Sequence, residues 1–505
     1  MNHLAGPLLA AARKNPAKPF ALDLDGTGMT NGALLALSGR YANLLRSMGV
    51  KPGDRVAVQV EKSLAAVALY LAALRSGAVF LPLNTAYTPA EIEYFLADAR
   101  PALFVCDTKR AAALAPVAAA TRTAAETVNE TGMAGSFVEK AALQPDHFND
   151  EPRGPHDLAA ILYTSGTTGR SKGAMITGDN LLSNAQALVS SWKITSSDVL
   201  LHALPIFHAH GLFVGLNTIL LAGASLIFLP KFDPAQVISL LPQASMFMGV
   251  PTFYTRLLER DGLAEAARGS RLFVSGSAPL LEETHRQFST ITGQAILERY
   301  GMTETGMNTS NPYDGERRPG SVGFPLPGIE IRIADAEGRP VESGDIGVIE
   351  IRGPNVFSGY WEMPEKTAAE FRPDGFFISG DLARTDEDGY IHIVGRQKDL
   401  IISGGYNVYP KEVESEIDAM DGVEESAVIG LPHSDFGEAV TAVLVLKKGA
   451  SITAEQVREK LKTRLAGYKQ PKKVLILPEL PRNTMGKVQK AALRETFQDL
   501  YRKAS

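Results

Sequence analysis

The sequence predicts an α/β fold with a large N-terminal domain and a small C-terminal domain. The chain has 505 residues, which is more than one hydrophobic core usually supports. Short apolar runs alternate with amphipathic runs in the first half, which is typical of parallel sheets covered by helices. After about residue 325 the pattern changes to short β-rich segments, and it changes again near residue 399. These changes predict packed βαβ subdomains, then a β-rich subdomain, then a separate small domain.

The first half shows the alternation most clearly. Amphipathic or apolar runs at 33–50, 63–77 and 88–99 predict three helices. Gly49 and Gly77 are expected to end the first two, and Thr88-Pro89 is expected to begin the third. Runs at 54–60, 78–84 and 102–107 predict strands of a parallel sheet. Apolar runs at 158–164, 225–230, 246–251 and 271–276 each lead into a loop and predict a second set of strands.

The second half predicts two smaller units. Segments 329–335, 347–353, 375–381 and 390–396 read as short strands of a β-rich subdomain over about residues 325–396. Helix-like and strand-like runs then alternate to the end of the chain and predict a compact α+β domain of roughly 100 residues.

Composition excludes several classes of protein. A net charge of −5 argues against nucleic-acid binding, and the single cysteine, Cys106, excludes an intramolecular disulfide and fits a reducing compartment. Between Asp198 and Lys231 there is no Asp, Glu, Lys or Arg, but histidines, Pro205 and glycines interrupt this stretch. We therefore predict a buried helix and strand there, and a cytoplasmic protein without a membrane partner or a secretory signal.

A polar loop directly follows the predicted strand at 158–164. Its glycines allow close backbone approach, its hydroxyls and backbone N–H groups suit phosphate oxygens, and Lys172 supplies a cation. The spacing is not that of a Walker A loop. Residues 169–173 also match the G-x-S-x-G elbow of serine hydrolases, but a strand-like run follows Ser171 where an elbow requires a helix. The loop therefore predicts a phosphate site.

Six motifs together resemble those of the adenylate-forming superfamily of acyl-CoA synthetases, adenylation domains and luciferases. They are YTSGTTGRSKG at 163–173, SGSAP at 275–279, RYGMTE at 299–304, SGD at 379–381, GRQKDLI at 395–401 and PRNTMGK at 481–487. The resemblance covers nearly the whole chain. It implies that the protein activates a carboxylic acid as an acyl-adenylate and then passes the acyl group to a thiol.

The resemblance assigns roles around ATP. It implies that Lys487 bridges carboxylate and α-phosphate oxygens, that Glu304 holds Mg²⁺, and that Asp381 accepts hydrogen bonds from the ribose. Cations suit this chemistry because the reaction brings two anions together, and Mg²⁺ prefers carboxylate and phosphate oxygens. The expected catalytic residues are Lys487, Glu304, Thr164 and Lys172. The expected ATP contacts are Thr164, Ser165, Gly166, Thr167, Thr168, Gly169, Lys172, Ser277, Ala278, Pro279, Glu298, Arg299, Tyr300, Gly301, Met302, Thr303, Asp381, Arg396 and Lys487.

The hinge motif implies a mobile small domain. Its expected bounds are 1–396 for the large domain, 397–400 for the hinge and 401–505 for the small domain. One orientation would deliver Lys487 for adenylation, and rotation would then present another face to CoA, the co-substrate. The residues expected on the thiol side are Lys398, Ser403, Gly404, Gly405 and Tyr406.

The pocket segments resemble those of malonyl-CoA synthetases, which use malonate and often methylmalonate. The segments include HALPIFHAHGLF at 202–213 and SGSAPLLEETHRQF at 275–288. Charged side chains near the pocket favour an acid with a second carboxylate, because a buried arginine requires an anionic partner. The expected acid contacts are His208, Arg286, Ser277, Met302, Met307 and Arg256, with Arg286 on the distal carboxylate.

The sequence leaves several alternatives open. Arg286 also fits a solvated helix surface. Another short or aromatic acid, or loading of a carrier protein, would use the same adenylation motifs. His208 and His210 are alternate residues, a spacing that does not favour a shared metal. The expected partners are ATP, CoA and a small dicarboxylate, and the sequence gives no oligomeric state.

Overall fold

The computed structural model describes residues 1–22, 28–164, 171–433, 435–483 and 486–501. Within these residues the chain forms two sheets covered by helices, a four-stranded antiparallel sheet and a C-terminal sheet. The predicted α/β class, with a large N-terminal and a small C-terminal domain, is confirmed.

The first sheet has six strands. In spatial order they are Ala124–Val128, Leu103–Asp107, Arg55–Gln59, Val79–Pro82, Leu158–Thr164 and Lys172–Thr177. All neighbours are parallel except the last pair, and the strands are almost continuously buried because helices cover the sheet. The helices of this part are Ala5–Lys14, Asn31–Ser47, Leu64–Ser76, Pro89–Ala99, Ala111–Ala120 and Ser136–Ala142. The predicted capping residues are confirmed: Gly77 is left-handed, and the Thr88 hydroxyl accepts a hydrogen bond from the Glu91 backbone N–H.

The second sheet has nine strands. In spatial order they are Phe324–Pro325, Gly306–Ser310, Leu297–Met302, Leu272–Ser275, Met246–Gly249, Val199–His202, Ser225–Phe228, Pro19–Ala21 and Met29–Thr30. The six central strands are parallel, and the strands outside them are antiparallel. The helices of this part are Gly178–Ser191, Asn217–Ala222, Pro234–Leu240, Pro251–Leu258, Leu263–Ala266 and Glu282–Thr292.

The stretch that lacks Asp, Glu, Lys and Arg lies inside this second unit. It forms a buried π-helix over His210–Leu216, continues as the helix Asn217–Ala222, and ends in the strand Ser225–Phe228. The predicted buried helix and strand are thus confirmed. Among the described residues, no helix combines the length and the apolar character needed to cross a bilayer.

The β-rich subdomain is a four-stranded antiparallel sheet with one short helix, Pro364–Ala369. Its strands, in spatial order, are Glu330–Ala334, Gly347–Arg352, Phe377–Thr385 and Ile391–Arg396. The predicted segments match these strands.

The small domain has its own sheet and its own core. Its strands, in spatial order, are Tyr406–Val408, Ile401–Ser403, Gly437–Leu446 and Val423–His433, and Lys473–Ile476 pairs with Gly437–Leu446. Its helices are Pro410–Asp418, Ala454–Lys462 and Lys490–Phe497. Apolar side chains such as Ile401, Val428 and Leu461 pack together between these elements.

Three parallel strands of the second sheet end side by side and position the site. Met246–Gly249, Leu272–Ser275 and Leu297–Met302 are neighbours, so the loops that follow them meet at one edge. Ligands of α/β proteins bind at such carboxyl ends, where the chain can present loop residues on a rigid base. Three of the predicted site segments follow these strands.

Candidate active site

One end of the site is built around Asp381. This buried carboxylate accepts a hydrogen bond from the Tyr300 hydroxyl at 2.7 Å and pairs with Arg396 Nε at 2.8 Å. Asp381 and Arg396 are opposed residues on neighbouring strands, so the sheet register brings them together. Burial and the neighbouring carboxylate raise the pKa of Tyr300, which keeps its hydroxyl a donor. The structure therefore brings together three of the residues predicted to contact ATP.

The other end holds the residues that flank the polar loop. Thr164 Oγ1 lies 3.5 Å from Glu304 Oε1, and the Glu304 carboxylate is buried. The Lys172 side chain is 9% exposed, and its Nζ lies 3.3 Å from Glu370 Oε1. Residues 165–170, which include the predicted contacts Ser165, Gly166, Thr167, Thr168 and Gly169, lie outside the described residues. Thr164 and Lys172, which flank the loop, thus each lie within 3.5 Å of a carboxylate.

Glu304 is the residue that fits a magnesium ion. Burial raises its pKa, so a cation close to this carboxylate would stabilise the ionised form. No group of three or more His, Cys, Asp or Glu side chains suited to a metal occurs in the part of the chain that the structure describes. A single carboxylate together with substrate phosphates is the usual way in which proteins hold Mg²⁺, and the donor set fits that pattern.

Lys487 is half-buried close to Arg396 and Asp381. Burial lowers its pKa from 10.5 to about 8, and the Arg396 charge acts in the same direction. The backbone of the same loop approaches the large domain: a Cβ at Gly486 would lie 3.0 Å from Thr252 Oγ1. The structure thus brings Lys487 close to Arg396, Asp381 and His208.

Arg299 is the most unusual residue of the site. It is 5% exposed, and its Nε and NH2 have no hydrogen-bond partner among the described residues. A Cβ at Gly276 would lie 2.4 Å from its Cζ, so the guanidinium occupies the space that this glycine leaves free. Burial lowers the pKa of Arg299 to about 9. An unpaired buried guanidinium costs free energy, so this one is suited to an anionic ligand.

Two histidines surround the same guanidinium. Burial is the main cause that lowers the pKa of His208, to about 4, and that of His210, and the Arg299 charge contributes to both shifts. His210 Nδ1 lies 3.2 Å from Ser277 Oγ, while its buried Nε2 has no partner among the described residues. Neutral imidazole nitrogens in this position can donate hydrogen bonds to a carboxylate.

Two predicted acid contacts do not reach this pocket. The Arg286 side chain is 63% exposed and pairs with Glu282 at 2.7 Å, one turn away on the helix Glu282–Thr292. The buried face of that helix packs inward and carries Arg286 outward, so the structure does not bring Arg286 to the buried Arg299. Its role as an acid contact stays a prediction. Arg256 is likewise exposed, and it lies near Arg482 of the small domain.

The remaining predicted contacts surround the strand ends. Ser277 has φ +72°, a left-handed backbone at the turn that continues through Ala278 and Pro279. Met307 is buried against Gly301, where a Cβ would lie 2.4 Å from its Cε. Partly buried residues of the same hairpin are Met302 and Thr303, while Glu298 is buried and accepts a hydrogen bond from the Gly320 backbone N–H at 3.0 Å. Burial raises the pKa of Glu298 to about 8.

The residues predicted on the thiol side lie at the edge of the small-domain sheet. Ser403 is buried, Gly404 and Gly405 form a left-handed turn, and Lys398 is exposed in the hinge segment. Tyr406 is 59% exposed and stacks on Tyr468 with ring centroids 4.7 Å apart. The stacking partner of Tyr406 belongs to the small domain. Partial burial and the neighbouring Arg396 charge lower the pKa of Lys398, so this hinge lysine lies close to the Asp381–Arg396 pair.

Sequence reasoning missed two residues of the site, Tyr360 and Glu370. The Tyr360 hydroxyl lies 2.7 Å from Glu370 Oε2 and 3.2 Å from Glu304 Oε1. Neither residue belongs to a motif that the sequence singled out. Arg299 was predicted as an ATP contact; the structure shows in addition that it is buried beside His208 and His210.

Comparison with known proteins agrees with this arrangement. A model of the AMP-binding enzyme family matches residues 8–361, and one of the AMP-binding enzyme C-terminal domain matches residues 412–487. The chain belongs to the AMP-binding enzyme family. A structure of ATP-bound MatB from Rhodopseudomonas palustris is 56% identical to this AMP-binding enzyme and covers 99% of this chain and 100% of that chain, with a TM-score of 0.95. Apo MatB from the same organism has a TM-score of 0.83.

Curated relatives include ligases for different acids. A malonate–CoA ligase of Arabidopsis thaliana is 34% identical over 536 residues, which is 96% of this chain and 87% of the relative. A feruloyl-CoA synthase of an Amycolatopsis species is 37% identical over 481 residues, 94% of each protein. Overall identity alone therefore does not separate a dicarboxylic acid from an aromatic acid, and the pocket residues must do so.

Proposed function

We propose that this AMP-binding enzyme is an ATP-dependent malonate–CoA ligase. In the first step a malonate carboxylate oxygen attacks the α-phosphorus of ATP, and pyrophosphate leaves as malonyl-adenylate forms. In the second step the CoA thiol, after losing its proton, attacks the acyl carbon, and AMP leaves as malonyl-CoA forms. The similarity to a malonate–CoA ligase and to MatB supports this assignment.

The observation that carries the choice of acid is the unpaired, buried Arg299. Malonate brings two carboxylates into the site, and only one of them reacts. The other would bind the Arg299 guanidinium, which presents two adjacent N–H groups that match a carboxylate, with His208 and His210 beside it. An aromatic or long-chain acid would leave this guanidinium buried without a partner, which is costly.

Other side chains would carry the adenylation step. Asp381 would accept hydrogen bonds from the ribose hydroxyls, and Arg396, its ion-pair partner, would lie next to the phosphates. The Lys487 ammonium would neutralise the charge that develops between the carboxylate and the α-phosphate. Bound Mg²⁺ would neutralise phosphate charge, and Glu304 is the carboxylate positioned to hold it.

The domain bounds of 1–396, 397–400 and 401–505 also remain a proposal. Two ion pairs support them: Arg396 is tied to Asp381 of the large domain, and Asp399 is tied to Arg494 of the small domain at 2.7 Å. Backbone rotation between these anchors, at Gln397 and Lys398, would turn the small domain as a unit. The turn at Gly404 and Gly405 would then face the thiol.

The exposed aromatic pair Tyr406 and Tyr468 suits the nucleotide part of CoA. Lys469 and Lys472 lie next to these rings and Phe436, and they would meet its phosphates.

A substrate panel tests the assignment. Purified protein with ATP, Mg²⁺ and CoA should release pyrophosphate with malonate, and methylmalonate is the second acid to test. Acetate, ferulate and a long-chain fatty acid are the comparison acids, because each lacks the second carboxylate. Turnover of one of these acids with malonate inert would refute the proposal. Malonyl-adenylate without CoA transfer, but with transfer to a carrier protein, would favour carrier loading.

A further inference from the structure

Glu370 follows the short helix Pro364–Ala369 and lies outside every motif named above. It is the one carboxylate within 4 Å of Lys172 Nζ among the described residues, with Oε1 at 3.3 Å. The two side chains are 9% and 20% exposed, so this ion pair is shielded from water. A shielded ion pair is stronger than an exposed one, and it restricts where the lysine can point.

Tyr360 connects this pair to Glu304. Its hydroxyl lies 2.7 Å from Glu370 Oε2 and 3.2 Å from Glu304 Oε1, and its ring faces Lys172 Nζ at 4.2 Å from the centroid. One hydroxyl proton can serve one carboxylate at a time, and the shorter contact is to Glu370. Lys172, Tyr360, Glu370 and Glu304 thus form one continuous cluster at the exit of the polar loop.

We propose that Glu370 is a positioning residue that orients Lys172 and, through Tyr360, Glu304 toward the triphosphate of ATP. The inference rests on the proposed function, since it concerns the phosphate end of the same site. An ammonium carries three N–H groups, so Lys172 can keep one on Glu370 and offer others to phosphate oxygens. Preorganised charges stabilise a transition state without a cost of reorganisation at the moment of reaction.

A second lysine also pairs with Glu370. Lys366 Nζ lies 2.8 Å from Glu370 Oε1, one helical turn before it, and its side chain is 39% exposed. Glu370 therefore has one shielded lysine partner, Lys172, and one more exposed partner, Lys366. A purely structural alternative is that Glu370 serves only to pair with Lys366 and close the helix Pro364–Ala369.

The test is ATP–pyrophosphate exchange, with whichever acid the wild-type protein turns over best. Glu370→Gln should lower kcat/KM for ATP about ten-fold, the order expected for a lost charge-assisted hydrogen bond, and leave the KM for the acid unchanged. Tyr360→Phe should change the same parameter in the same direction by a smaller factor. Lys366→Met is the matched control, because it removes the exposed ion pair to the same carboxylate, and it should behave as wild type.

A double variant separates positioning from structure. If Glu370 acts through Lys172, then Glu370→Gln combined with Lys172→Met should be no worse than Lys172→Met alone. Multiplied losses, an unchanged kcat/KM for ATP in Glu370→Gln, or an equal loss in Lys366→Met would each overturn the proposal. These comparisons do not depend on which acid is the substrate, so they stand apart from a failure of the malonate assignment.

Discussion

Replacing Arg299 with leucine removes the unpaired guanidinium and puts an apolar side chain in its place in the buried strand. In the proposed complex the two N–H groups of Arg299 that have no partner among the described residues would bind the distal carboxylate of malonate, so the variant would bury that carboxylate without them. Truncating one partner of a buried charge pair typically costs about 2–5 kcal/mol. We therefore expect kcat/KM for malonate to fall on the order of 10²- to 10³-fold, with the KM for ATP within a few-fold of wild type.

The same substitution should raise thermal stability, because it removes a buried charge that has no partner in the free protein. The assay is steady-state pyrophosphate release over a range of malonate concentrations, with thermal unfolding of both proteins. Arg286→Leu is the matched control on the exposed face of the helix Glu282–Thr292, and it should leave both measurements near wild type. Malonate turnover that survives in Arg299→Leu but is lost in Arg286→Leu would refute the reasoning.

Three further predictions concern ATP and the small domain. Lys487→Ala should abolish pyrophosphate exchange and spare thiol transfer from premade acyl-adenylate; equal loss of both half-reactions would contradict it. Because the pKa of Lys487 is lowered to about 8, its ammonium is lost as the pH rises through that value, so kcat/KM for adenylation should decline above pH 8 while thiol transfer does not. Asp381→Asn should raise the KM for ATP at least about ten-fold, since Arg396 and the ribose both lose a charged partner; an unchanged KM would remove Asp381 from the nucleotide site.

Much of the fold could be predicted from local patterns. Continuous apolar runs such as 102–107 and 246–251 could only be buried parallel strands once helices were found between them, and Gly77 and Thr88 marked helix ends through their own backbone chemistry. The buried character of the stretch after His210 was also predicted. Its π-helical winding was not, because that winding depends on tertiary contacts: a Cβ at Gly211 would lie 2.1 Å from the Pro205 carbonyl oxygen.

For the candidate site, the sequence named individual residues but not the contacts between them, because those contacts depend on the three-dimensional arrangement of strands and helices. Asp381 and Arg396 were both named for ATP, but only the antiparallel register of their strands makes them an ion pair. Arg286 and Arg299 are both arginines close to a pocket motif; the family resemblance assigned the first to the acid and the second to ATP. What separates them is the direction of a side chain: the helical period carries Arg286 to solvent, whereas the alternation of the strand Leu297–Met302 turns Arg299 into the protein.

That contrast extends to Glu370, which no motif marks. A carboxylate after a short helix is an ordinary surface charge in sequence, and its pairing with Lys172 spans 198 positions along the chain. Such pairs form only when the β-rich subdomain packs against the first sheet; there, the backbone N–H of Trp361 donates to the Gly173 carbonyl at 2.7 Å. The phosphate end of the site is therefore completed by packing between subdomains. A substitution that loosens this packing, such as Trp361→Ala, should impair ATP use before it affects the acid pocket. Exchange kinetics that showed a raised KM for the acid but not for ATP would contradict this reasoning.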